Sequence, residues 1–142
     1  MFFGEHEHSL DAKGRLTMPS KYRAQFAEGL MITKGEDRCL QIYPLRAWEK
    51  KQAEVERLDT ASARNREYRR AFYSSSEDGE LDGQGRLLVG KRHRDYAGLD
   101  KEVAVIGAGE FVEVWGASQW ETQRNAVDEA LAERDETPAV DN

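Results

Sequence analysis

Ser9-Leu-Asp-Ala-Lys-Gly-Arg-Leu-Thr-Met-Pro-Ser-Lys-Tyr-Arg23 returns later in the chain as Glu80-Leu-Asp-Gly-Gln-Gly-Arg-Leu-Leu-Val-Gly-Lys-Arg-His-Arg94. The likeness continues beyond this stretch. Cys39-Leu-Gln-Ile-Tyr-Pro-Leu-Arg-Ala-Trp48-Glu49 aligns with Phe111-Val-Glu-Val-Trp-Gly-Ala-Ser-Gln-Trp120-Glu121. Both halves therefore run from a Leu-Asp-x-x-Gly-Arg-Leu segment to an apolar strand and then to a helix that opens near Trp-Glu. Fixed-period self-similarity marks a duplicated unit, and two copies are too few for a solenoid. The pattern points to one pseudo-two-fold domain or to a self-assembling protein.

Working outward, each copy reads as two short strands about a tight turn. Gly14 and Gly85 can take a positive φ, and Asp11 and Asp82 can bond the turn's own backbone. Arg15–Met18 alternates as a half-buried strand, and Pro19 opens a short helix from Ser20 to about Phe26, closed by Gly29. Leu30–Thr33 and Cys39–Tyr43 predict a strand pair, repeated by Val103–Ile106 and Phe111–Trp115. A helix carrying Leu45, Trp48, Val55 and Leu58 follows the first pair. Trp120, Val127 and Leu131 mark its counterpart, where Ser118 and Glu121 have capping-box spacing. Ala61 to Tyr73 predicts a further helix with Tyr68 and Phe72 on one side and Arg64, Arg66, Arg69 and Arg70 around the rest, released by Ser74–Ser76. The fold class is α+β, mainly a β core with flanking helices, and residues 134–142 read as an acidic disordered tail.

The chain has 142 residues, enough for one compact domain, and a single cysteine, Cys39, which excludes an internal disulfide and reads as a small buried apolar residue. No apolar run reaches the length of a signal or membrane-spanning segment, so the expectation is a soluble intracellular protein. Net charge is −6, but it is polarised: residues 1–75 carry 14 basic and 11 acidic groups, residues 76–142 carry 7 and 16. A basic surface on the first half is compatible with a nucleic-acid partner despite the overall sign.

Three enzyme-like signals fail on inspection. Val103-Ala-Val-Ile-Gly-Ala-Gly109 imitates a dinucleotide-binding opening, but Val112 occupies the third glycine position and alternation follows where a helix is required. His6 and His8 lack further ligands at metal spacing, and with Glu5 and Glu7 they fit the exposed face of a first strand. Cys39 and His93 carry no local signature of a nucleophile and its base. No cofactor, metal or small-molecule substrate is expected. What remains is the doubled Asp-x-x-Gly-Arg element. It is either scaffold, with Arg15 and Arg86 simply pairing with carboxylates, or a recognition device, since an arginine after a sharp turn can present its fork to guanine O6 and N7 and Lys13 can meet a phosphate.

Asp11-Ala-Lys-Gly-Arg15, Asp82-Gly-Gln-Gly-Arg86, Tyr96-Ala-Gly-Leu-Asp-Lys-Glu-Val103 and the paired Trp-Glu positions resemble the MraZ family of bacterial transcriptional regulators over nearly the whole chain except the tail. The resemblance implies two SpoVT/AbrB-like repeats, 5–47 and 76–119, pairing as swapped hairpins in a pseudo-two-fold double-psi-like barrel. A helical connection, 48–75, joins them, a C-terminal helix, 120–133, follows, and the tail, 134–142, ends the chain. It further implies a ring-shaped homo-oligomer, an octamer among the candidate sizes, in a cytoplasmic, nucleoid-associated protein without membrane contact. Its partner would be double-stranded promoter DNA with G-rich direct repeats upstream of its own division and cell-wall operon, bound as an autorepressor. Arg15 and Arg86 would be the principal DNA contacts, with Lys13, Gln84, Lys21 and Arg23 beside them and Asp11, Gly14, Asp82 and Gly85 shaping the turns.

Two departures stand out. Gln84 is neutral where Lys13 is basic, and Gly90 stands where the family usually has a proline, with His93 at a position expected to be apolar. Lys91, Arg92 and Arg94 offer extra phosphate contacts there. Antitoxins of the AbrB type usually carry one motif and a toxin-binding tail, whereas this chain carries two motifs. The alternative from another class is a ring-forming protein scaffold without specific DNA binding, in which the arginines hold subunits together.

Overall fold

The computed structural model describes residues 1–135, so nearly all of the predicted tail lies outside the described residues. The strands are β1 (Glu5–Ser9), β2 (Arg15–Thr17), β3 (Leu30–Lys34), β4 (Leu40–Pro44), β5 (Glu77–Gly79), β6 (Arg86–Leu88), β7 (Glu102–Gly107) and β8 (Val112–Gly116). The α-helices are α1 (Leu45–Glu56), α2 (Ala63–Ser75), α3 (Lys91–Ala97) and α4 (Ala117–Ala132), and Ser20–Phe26 forms a 3-10 helix. The fold is α+β, dominated by antiparallel sheet.

Six strands form one sheet in the order β1-β7-β8-β4-β3-β5, and β2 pairs with β6 in a separate ribbon. Among the described residues these pairings close no barrel. They do cross between repeats: β1 pairs with β7 of the second copy, β5 with β3 of the first, and β2 with β6. Only a single bridge, Leu10 to Leu16, joins the two arms of the first turn. The reason lies in burial. Leu16 and Leu87, directly opposite each other in the ribbon, sink into the main core with Met18, Val89, Leu30, Val103 and Val105, so each motif needs the other copy to cover its apolar face.

The second cluster, Tyr43, Trp48, Val55 and Phe72, fixes α1 and α2 over the β3–β4 side, where Trp48 and Phe72 stack at 4.7 Å. A smaller one, Cys39, Ala104, Ile106 and Trp115, seats α4 through Trp120. No described helix is long and apolar enough to cross a membrane.

Several expectations are corrected. Ser118 does not cap α4: β8 runs straight into the helix, Gly116 is its N-cap without a side-chain bond, and Ser118 lies inside the first turn. His6 and His8 occupy the half-covered face of β1 and the glutamates the open one. His6 packs edge-on against Tyr22 at 5.3 Å. Ser74 and Ser75 belong to α2 rather than to a linker, and the buried Ser75 hydroxyl lies 3.0 Å from that of Thr33. Ser75 also accounts for His93, whose Nε2 donates to its carbonyl at 2.7 Å. The buried ring is thus satisfied. The Val103–Gly109 segment continues through a turn into β8, as its alternation predicted.

Gly90 caps α3 at φ −66°, ψ 161°, close to the geometry of Pro19 at the equivalent place, and a Cβ there meets nothing within 4 Å. Proline fits this φ without strain and narrows the unfolded ensemble. Gly90→Pro is therefore expected to stabilise the fold by about 0.4–1 kcal/mol, read as a rise in the urea midpoint at unchanged slope. A fall in the midpoint would refute the equivalence.

Candidate nucleic-acid interface

The two Asp-x-x-Gly-Arg turns are near-copies in atomic detail. Asp11 Oδ1 accepts the backbone N–H groups of Lys13 and Arg15, both at 2.9 Å, and Oδ2 accepts Arg15 Nε–H at 2.6 Å. Asp82 Oδ1 likewise accepts from Gln84 and Arg86 at 2.9 Å each, and Oδ2 from Arg86 Nε–H at 2.8 Å. Each aspartate therefore does two tasks with two oxygens: one folds the turn and the other aims the arginine. The tight reversal requires a left-handed residue, supplied by Gly14 at φ 79° and Gly85 at φ 76°.

The glycines serve a second purpose. A Cβ on Gly85 would lie 2.4 Å from Arg23 Nε, and one on Gly14 would lie 2.4 Å from an Arg94 amino nitrogen. Arg23 Nε donates to the Met18 carbonyl at 2.9 Å, and Arg94 donates to the Val89 carbonyl. Arg23 and Arg94 are the same residue of the two repeats, and each lies over the turn of the other copy. Met18 N–H to Gly85 O, 2.8 Å, and Val89 N–H to Gly14 O, 2.9 Å, complete the reciprocal tie. The turns thus hold each other in place.

Ribbon register sets what faces outward. Arg15 opposes Leu88, and Thr17 opposes Arg86. Directly opposed residues share a face, as do residues two apart, so Arg15, Thr17, Arg86 and Leu88 project from one side and Leu16 and Leu87 from the other. Leu88 is 63% exposed. Strand and ladder spacings put the two arginine Cα atoms ~8 Å apart on a diagonal. Each guanidinium gives only its Nε–H to the aspartate and keeps two amino groups for another acceptor.

Of the remaining expected contacts, Lys13 and Gln84 stand exposed at the turn tips. Lys21 has its Nζ over the Tyr22 ring at 5.5 Å, beside Gly4 rather than beside an arginine turn. Arg23 and Arg94 are half-buried struts, and Lys91 is engaged with Asp95 at 2.6 Å. Sequence reading missed Leu88 as part of the outward face and the strut role of Arg94. The equivalence of positions 23 and 94 was the available signal. Among the described residues no group of three His, Cys, Asp or Glu could hold a metal ion. The buried Cys39 thiol is pushed far up by burial first and by Glu113 next, which favours the neutral thiol over the thiolate.

Both aspartates titrate below the usual carboxylate range. The first cause is the backbone N–H of Arg15 or Arg86, partly opposed by desolvation and reinforced by the guanidinium. A depressed carboxyl contributes order that is complete above its unfolded pKa of about 3.9 and is lost as pH falls through the lower folded value. In an acid titration the Nε–H resonances of Arg15 and Arg86 should therefore stay protected below pH ~4, while ordinary surface carboxylates protonate. Their loss together with the surface carboxylates would show that the aspartates do not hold the arginines.

Both halves of the chain, residues 1–71 and 72–142, match the family model described as "MraZ protein, putative antitoxin-like". The chain belongs to the MraZ family. It is 41% identical to the "Transcriptional regulator MraZ" of Kineococcus radiotolerans over 96% of this chain and 95% of that one. The Moorella thermoacetica protein of the same name is 42% identical over 94% and 96%, and that of Corynebacterium kroppenstedtii 38% over 99% of both. The duplicated turns are thus found in a chain that matches the MraZ model once per half.

Proposed function

We propose that this chain is a sequence-specific DNA-binding transcriptional regulator, not an enzyme, and that the β2–β6 ribbon is its reading head. The observation that carries this is the outward diagonal of Arg15 and Arg86, each held by its own aspartate on a ribbon braced by the opposite repeat. The major groove, ~12 Å wide, admits a two-stranded ribbon, and a bidentate arginine on guanine O6 and N7 is the commonest specific base contact. An ~8 Å diagonal spans two to three base steps of ~3.4 Å. Lys13 is the phosphate partner of the first turn, and neutral Gln84 makes the second turn weaker electrostatically. Arg23 supports the contact set chiefly by positioning, and Lys21, which lies beside Gly4 away from the turns, would reach DNA only as a peripheral phosphate contact.

The repeats at 5–47 and 76–119 are read as SpoVT/AbrB-like, with the cross-repeat pairing as their swapped hairpins and a double-psi-like barrel as the enclosing geometry. The helical connection is 48–75 and the C-terminal helix 120–133. The protein works in the cytoplasm at the nucleoid, as a ring-shaped homo-oligomer that represses its own division and cell-wall operon. Head-to-tail rings present their reading heads in one sense, which suits G-rich direct repeats as two-fold dimers suit palindromes. One arginine pair supplies too little discrimination for promoter choice, and several subunits on one duplex supply the rest through effective concentration.

The test is a salt-titrated binding isotherm on a labelled fragment of the gene's own upstream region against a scrambled fragment. Tighter binding to the upstream fragment, with affinity falling steeply in salt, is expected. Equal weak binding to both would favour the protein scaffold instead.

A further inference from the structure

The outward face of the β2–β6 ribbon holds one side chain that neither the turns nor the core account for. Arg15 is directly opposed to Leu88 and Arg86 to Thr17, so each arginine is paired across the ladder with the residue two places after the other arginine. Directly opposed residues have Cβ atoms about 4.5–5.5 Å apart. The two partners differ in exposure. Thr17 is half-buried, whereas Leu88 is 63% exposed and is the one large apolar side chain open to water in any strand among the described residues. A lone exposed leucine needs no explanation by itself, but its place does. Its chain neighbours Leu87 and Val89 both sink into the core. Arg15 leaves it uncovered, its Nε–H being held by Asp11 at 2.6 Å.

We propose that Leu88 is a specificity-determining residue that reads the 5-methyl group of a thymine close to the guanine taken by Arg15. The inference deepens the DNA reading above and rests on it. Thymine presents a methyl group in the major groove, and apolar side chains meet it there. A ribbon lies with its whole face against the base edges, so a short side chain beside an arginine touches the neighbouring pairs. The spacing of about 5 Å across the ladder corresponds to one or two base steps of ~3.4 Å, which places the thymine within two steps of that guanine. Contact with the methyl removes apolar area from water on both partners. A cytosine in the same place offers an amino group instead, which leucine cannot accept from and would strip of water. Discrimination therefore has an attractive and a repulsive part. At the equivalent position beside Arg86, Thr17 offers one half-covered methyl and a hydroxyl that can both donate and accept. The Arg86–Thr17 pair is the more tolerant of the two, and the two motifs read different neighbours of their guanines.

The experiment uses the full chain and synthetic duplexes of the upstream sequence, made either with thymine or with deoxyuridine at every thymine. The exchange removes the methyl groups and keeps the hydrogen-bonding pattern. The wild-type chain should lose at least about fourfold in affinity on the deoxyuridine duplex, the value of burying one methyl-sized group. Leu88→Ala should bind the thymine duplex more weakly and show little further loss on the deoxyuridine one, while Thr17→Ala keeps most of the wild-type penalty. Any change in duplex shape acts on all three proteins alike and cancels when their ratios are compared. An equal penalty in wild type and Leu88→Ala, or no penalty in either, overturns Leu88 as the methyl reader and leaves the arginine reading standing. A changed mass of Leu88→Ala by light scattering would place the side chain between copies and overturn it as well. Equal binding of the wild-type chain to upstream and scrambled thymine duplexes would instead remove the DNA reading itself.

Discussion

Alanine at both Arg15 and Arg86 should abolish discrimination between the upstream fragment and a scrambled one, at fixed salt and with an unchanged circular dichroism spectrum. A bidentate arginine contributes about 1–3 kcal/mol against the wrong base, so the pair amounts to roughly a 30- to 20,000-fold loss per bound chain if the two add. The fold survives because both side chains point away from the core, where Leu16 and Leu87 do the packing. Removing them frees Asp11 and Asp82 but leaves each Oδ1 on its two backbone N–H groups, so the turns persist. Binding to the scrambled fragment should fall less, since phosphate contacts from Lys13 and its neighbours remain. Undiminished discrimination in the double variant would remove the ribbon from the mechanism. Of the two single variants, Arg86→Ala leaves the turn that carries Lys13, and should keep the larger share of affinity.

How much of this was legible in the sequence depends on the range of each interaction. The turns could be read because they are local: aspartate bonds to residues two and four further on, and glycine supplies the φ that the reversal needs. The strand pairs β3–β4 and β7–β8 were legible for the same reason. What could not be read was which strand each arm of the motif would choose, because alternation reports a buried face without naming the element that buries it. The crossing of β1 to β7, β5 to β3 and β2 to β6 followed from no periodicity. The Arg23 and Arg94 struts depend on that crossing, as each reaches a glycine in the other repeat. His93 looked out of place only because its acceptor, the Ser75 carbonyl, lies at the end of α2, eighteen residues away. Ser118 failed as a cap because β8 enters the helix without a loop, so the first turn begins before the serine is reached.

The sequence also makes Trp48 and Trp120 look interchangeable, and the structure says they are not. Trp48 is 7% exposed, stacked on Phe72 and edge-on to Tyr43 at 5.5 Å, under the cover of α2. Trp48→Ala should cost about 3–5 kcal/mol, the range for deleting a buried large aromatic where the cavity cannot collapse. Trp120 keeps one ring contact, with Trp115 at 5.6 Å, and an indole N–H donated to Glu5 at 3.0 Å on a surface open to water. Trp120→Ala in the dissociated chain should cost about 1–2 kcal/mol, since only part of its area leaves water on folding. Urea unfolding at low protein concentration measures both, and equal losses would refute the difference in cover.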